Sequence, residues 1–170
     1  MTDGSAGQLP IDNDRTGIIV VDHGSRLDAS NQMLILAAEA FADYTSHKIV
    51  EPAHMELAPP DIAAAFRKCV QQGADRVIVF PWFLSPGRHW SQDIPRLVAQ
   101  AAVEFPGIPW LVTAPFGLHH GMLEVMSDRI RRCLQHAEQS DTQDVGHLRC
   151  DVCGDQPGCR FGGSRTSGSR

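Results

Sequence analysis

Four short apolar, β-prone runs alternate with stretches whose apolar residues recur at helical spacing, and this alternation constrains the fold more than any other feature. The runs cover residues 16–22, 49–57, 76–84 and 110–114. Helical patterns follow each of them. One runs from Asp28, a candidate N-cap, to about Ser46, with Met33, Ala37, Ala40, Phe41 and Tyr44 on one face. A second opens at Pro59-Pro60-Asp61, carries Ile62, Ala65, Phe66, Cys69 and Val70, and ends at Gly73. A third carries Ile94, Leu97, Val98, Ala101 and Phe105. The last, from about His119 to Ala137, turns Met122, Met126, Ile130, Cys133 and Leu134 inward. Strict alternation predicts a parallel sheet with right-handed crossovers and helices on both faces. Pro52 places the second strand at an edge, because proline cannot donate to a ladder. The strand order becomes 2-1-3-4, and the chain reverses direction between strands 1 and 3. Ligands in such sheets bind at that switch point, beyond the carboxyl ends of the strands.

Two loops leave those ends. Asp22-His23-Gly24-Ser25-Arg26 follows the first strand, and Leu84-Ser85-Pro86-Gly87-Arg88-His89 follows the third. Each supplies an imidazole, a guanidinium and a glycine, so the topology brings His23 and His89 to one mouth. Imidazole suits first-row divalent cations, and two histidines leave coordination positions open, as a site that must release its ion requires. Gly24 and Gly87 permit close backbone approach; Ser25, Arg26, Ser85 and Arg88 add donors for carboxylate or phosphate. On the second strand His54 and Glu56 lie two residues apart, hence on one sheet face, with Glu56 placed to accept protons or guide a cation. His119-His120 read as helix-start residues that could reach the cleft. Each residue also has an ordinary structural reading, as a hydrogen-bonding loop or edge-strand residue; the pairing on neighbouring strands favours a site.

Composition narrows the field. At 170 residues, 42% of them hydrophobic and 21% charged, the chain suits one globular domain, here residues 16–138, between a disordered leader (1–15) and a flexible tail (139–170). A formal charge of −5 argues against a nucleic-acid partner, and no apolar run is long enough for a membrane span. The polar leader lacks the build of an export signal, which points to the cytoplasm and reduced cysteines. Phosphate-loop, dinucleotide-turn and nucleophile-elbow motifs are absent. Cys69 and Cys133 fall at apolar positions of helices and read as core. Cys150, Cys153 and Cys159 in the tail read as a thiolate site for Zn2+ or an iron–sulfur cluster, with His147 offering a fourth ligand.

Three motifs in order carry a resemblance: Val-Val-Asp-His-Gly-Ser-Arg (20–26), Ala-His-Met-Glu-Leu-Ala-Pro-Pro-Asp-Ile (53–62) and Val-Phe-Pro-Trp-Phe-Leu-Ser-Pro-Gly-Arg-His-Trp-x-x-Asp-Ile-Pro (79–95). Across about residues 16–136 the chain resembles the sirohydrochlorin chelatase family, small class II tetrapyrrole chelatases. The resemblance implies a flavodoxin-like α/β unit that inserts Co2+ or Fe2+ into sirohydrochlorin without ATP, in cobalamin or sirohaem synthesis. It implies His23 and His89 as metal ligands, Glu56 as the acidic residue beside them, and pairing of two copies as a homodimer. Asp22 departs from the pattern, standing where a small residue precedes the histidine. The chemistry agrees: metal insertion releases two pyrrole protons, and an ordinary imidazole, with a pKa of about 6.5, accepts protons near neutrality. The rival readings are a non-catalytic metal carrier or sensor, with a histidine cleft and cysteine tail, and a flavodoxin-like module for another anionic cofactor.

Overall fold

The computed structural model describes residues 12–139 and 152–153. The chain divides into two compact units, Met1–Leu118 and His119–Arg170. The first holds β1 (Thr16–Asp22), α1 (Asp28–Thr45), β2 (Ile49–His54), α2 (Ile62–Gln71), β3 (Arg76–Pro81), a π-helical turn (His89–Asp93) running into α3 (Ile94–Ala102), and β4 (Trp110–Val112); the second holds α4 (His120–Gln139).

The strands form one parallel sheet in the order β2-β1-β3-β4, as the alternation predicts, with Pro52 on the edge strand. Side-chain alternation along β1 divides the core. Ile18 and Val20 pack with Leu34 and Ala38 of α1. Ile19 and Val21 join Val77 and Val79 of β3 beneath Phe66 and Cys69 of α2 and Ile94 and Val98 of α3. Burying one such aliphatic or aromatic side chain stabilises the fold by about 1.5–3 kcal/mol. Asp61 caps α2, its carboxylate accepting the Ala64 N–H at 2.7 Å. Gly17 lets α2 lie close to the sheet, since a Cβ there would stand 2.8 Å from Cys69 Cβ. Burial, reinforced by the Glu51 charge, pushes the Cys69 thiol up to about 12, so it packs as a protonated, inert group.

Several expectations are corrected. Helix α1 buries Leu34 and Ala38, while Met33, Phe41 and Tyr44 are exposed. Its run Met33-Leu34-Ile35-Leu36 is apolar around the helix, so periodicity alone selects no face. Leu27, not Asp28, occupies the N-cap of α1; the Ser25 hydroxyl oxygen accepts the Leu27 N–H at 3.0 Å, and Asp28 sits in the first turn, where its charge suits the helix dipole. Strands β2, β3 and β4 end at His54, Pro81 and Val112, earlier than their apolar runs. On α4, Met126, Ile130 and Leu134 are exposed, and so is Cys133. An amphipathic stripe identifies a face that seeks cover but not what covers it.

Candidate active site

The site is built where β1 and β3 end. The backbone holds the first turn. Beyond the last rungs of the β1–β2 ladder, Met55 N–H donates to Asp22 C=O at 2.8 Å and Glu56 N–H to His23 C=O at 3.1 Å. Gly24 has φ +81°, and a Cβ on it would lie 2.2 Å from the Glu56 carbonyl oxygen. Only glycine fits there. The loop is then tied to α1, with Ser25 N–H donating to Asn31 Oδ1 and Asn31 Nδ2 donating to Ser25 C=O, both at 2.9 Å.

His89 arrives differently, on the first residue of the π turn. Its Nδ1 lies 2.9 Å from Asp93 Oδ2, four residues on, which leaves Nε2 for an incoming cation. Phe83 stacks on the ring at a centroid distance of 6.5 Å, and the neighbouring Trp90 donates Nε1–H to Thr113 C=O at 2.8 Å. The two imidazoles meet edge to face, with centroids 5.2 Å apart. Glu56 Oε2 lies 3.9 Å from His23 Nε2, and both side chains face solvent, 55% and 40% exposed. Leu57, directly after Glu56, takes the left-handed conformation at φ 57°, a local cost of about 1–2 kcal/mol that turns the chain at this carboxylate.

The structure thus brings together His23, His89 and Glu56. Among the described residues no group of three or more His, Cys, Asp or Glu side chains is placed to hold a metal ion. Arg26, Ser85, Gly87 and Arg88 are exposed in the same two loops. Glu56 and His54 do not share a sheet face as expected, because β2 ends at His54 and the chain bends after it. His54 is fully buried, with Nδ1 2.5 Å from Asp22 Oδ1. In the second unit His119 Nδ1 accepts the Gly121 N–H at 3.2 Å and His120 pairs with Glu124 at 3.4 Å, the roles of helix-start residues. Cys153 is free and exposed; Cys150, Cys159 and His147 lie outside the described residues. Sequence reasoning missed Asp93 and the Asp22–His54 pair. The i,i+4 spacing from His89 to Asp93 was a usable signal; the second pair becomes visible only with the β1–β2 register, in which Asp22 stands opposite His54.

A family model, CbiX, matches residues 17–133. The chain belongs to the CbiX family. An Arabidopsis thaliana relative named sirohydrochlorin ferrochelatase, chloroplastic, is 52% identical over 148 residues, which is 87% of this chain and 63% of that protein. A sirohydrochlorin cobaltochelatase of Methanocaldococcus jannaschii is 43% identical over 81 residues, 48% of this chain and 57% of that one. The match therefore spans less than two thirds of either relative's length. Among solved structures, the sirohydrochlorin chelatase SirB from Bacillus subtilis subspecies spizizenii, in complex with cobalt, superposes with a TM-score of 0.64 at 30% identity, over 69% of this chain and 50% of that chain. A Marinobacter aquaeolei CbiX protein gives the same TM-score, 0.64, at 25% identity over 72% of this chain and 98% of its own. All three motifs of the sequence fall within the CbiX match.

Proposed function

We propose that this CbiX protein inserts Co2+ or Fe2+ into sirohydrochlorin without ATP. The observation that carries the reading is the meeting of His23 and His89, 5.2 Å apart, at the mouth between β1 and β3. In this reading the two imidazoles present the cation, which is a substrate, to one face of the macrocycle. Each pyrrole N–H gives up a proton as a metal–nitrogen bond forms. Glu56, 3.9 Å from His23 Nε2, or His23 itself once the cation has left that nitrogen, accepts these protons in turn and passes them to solvent. Arg26 and Arg88 meet the carboxylates of the substrate. The names of the Arabidopsis, Methanocaldococcus and Bacillus relatives support both metals. The test mixes the purified chain with sirohydrochlorin and Co2+ or Fe2+ anaerobically and follows the tetrapyrrole absorption. Acceleration over the spontaneous rate is expected. Tight metal binding with no acceleration would leave a carrier instead.

The same reading includes a cytoplasmic homodimer. The exposed stripe Met126, Ile130 and Leu134 supports a second copy as its cover, since exposed apolar patches mark association surfaces. Light scattering giving a monomer's mass would end that part. Three cysteines within ten residues support a thiolate site in the tail for Zn2+ or an iron–sulfur cluster. Elemental analysis finding neither zinc nor iron in protein purified anaerobically would remove it.

A further inference from the structure

Next to the imidazole pair lies a polar contact that metal insertion does not use. Asp22, the last residue of β1, accepts two hydrogen bonds on Oδ1: from Gly24 N–H at 2.8 Å and from His54 Nδ1–H at 2.5 Å. His54, the last residue of β2, is 0% exposed, and its Nε2 is buried with no hydrogen-bond partner among the described residues. A buried polar atom left unpaired costs about 1–3 kcal/mol, and an apolar side chain would avoid that cost. Replacing a buried polar pair by apolar groups is often neutral or stabilising. The unpaired Nε2 offsets part of what the hydrogen bond to Asp22 contributes to the fold, so the hold on that carboxylate is what His54 chiefly supplies.

What His54 secures is the Asp22 carboxylate, and what the carboxylate secures is the His23 turn. Gly24 N–H is bound from below by Asp22, and the Gly24 Cα packs so closely that a Cβ would stand 3.1 Å from His54 Cβ. Asp22 also adjoins His23 in sequence, where a loose carboxylate could swing toward the cation and hold it too tightly for delivery.

We infer that Asp22 and His54 are positioning residues: the buried His54 clamps Asp22, and the clamped carboxylate fixes the turn that aims His23 at His89. The inference rests on the chelatase reading. Neither residue touches the reacting atoms; both act through His23.

The experiment compares wild type, His54→Leu and His54→Asn in the full chain, asparagine keeping a donor where Nδ1–H stands. His54→Leu is expected to lower kcat for metal insertion about 10- to 100-fold with KM for the tetrapyrrole changed less than about threefold, and His54→Asn to recover most of the loss. Wild-type kcat in His54→Leu, or no recovery in His54→Asn, overturns the proposal. If His54→Leu does not fold, Asp22→Ala replaces it: the same loss of kcat supports the proposal and wild-type kcat overturns it. Should the wild type itself show no turnover, the chelatase reading fails and a second readout decides the clamp. Co2+ is titrated without tetrapyrrole, and its dissociation constant is recorded. The clamp predicts a constant shifted at least about threefold in the leucine variant and returned to the wild-type value in His54→Asn. Equal constants in all three overturn it.

Discussion

The two turns that deliver the imidazoles solve the same problem with different materials. The His23 turn follows β1 without a spacer and is held mainly by backbone, with side chains closing it: carbonyls of Asp22 and His23 accept from β2's continuation, the Asp22 carboxylate gripped by His54 accepts the Gly24 N–H, and the loop is laced to Asn31. The His89 segment leaves β3 at Pro81, crosses Ser85–Arg88 exposed to solvent, and is held by side chains on a helical turn, Asp93 against the ring and Trp90 against Thr113. A ligand built into a sheet ladder has its position set by the fold. A ligand carried on a helical turn has its position set by the partners of its own side chain. The His23 turn should therefore fail through the backbone, and the His89 segment through side-chain loss.

The largest effect should be shared by both. His89→Ala and His23→Ala are each expected to lower kcat for metal insertion about 10³-fold, close to 4 kcal/mol, with far-UV circular dichroism unchanged. Unfolding of either variant would assign that imidazole to the scaffold instead. The next effect separates the turns. Gly24→Ala forces a Cβ to within 2.2 Å of the Glu56 carbonyl oxygen at φ +81°, so about 3 kcal/mol of stability should be lost in urea unfolding. A loss under 1 kcal/mol would mean that the His23 turn is looser than its hydrogen bonds indicate. Third comes Asp93→Ala, which frees the His89 ring to rotate. It should lower kcat about tenfold while leaving the urea midpoint in place, the inverse of the Gly24 result. Loss of stability with full activity would make Asp93 a helix-start residue and nothing more.

The same contrast explains what could be read from the sequence. Parallel order, the edge position of β2 and the meeting of His23 with His89 all follow from element alternation plus one proline, because topology needs only the identity and sequence of elements. The buried face of α1 was not legible, since Met33 to Leu36 are apolar in succession and only contact with Ile18 and Val20 selects Leu34. Glu56 was singled out by its place near the carboxyl end of the second run and does lie beside His23, yet its grouping with His54 failed because a bend at residue 55 interrupts the period of two. The Asp22–His54 contact joins residues 32 apart and depends on register, which one strand's pattern cannot supply. Side-chain-held features close in sequence, such as His89–Asp93, carry a local signal; sheet-held features far apart do not.

The smallest expected effect sharpens the comparison most. Gly87 shares its place in the second loop with Gly24 in the first, but no atom of the described residues lies within 4 Å of a Cβ built on it, and its φ is not in the left-handed region. Gly87→Ala should therefore change stability by no more than about 0.5 kcal/mol, against about 3 for Gly24→Ala. Free of a folding effect, this variant reports on binding. If the macrocycle comes against the loop backbone as the chelatase reading has it, the added methyl raises KM severalfold with kcat held, the signature of lost uniform binding. An unchanged KM would place the substrate away from Gly87 and leave Arg88, on its longer side chain, as the loop's contact. A stability loss near that of Gly24→Ala would collapse the distinction itself, because both turns would then be held by backbone.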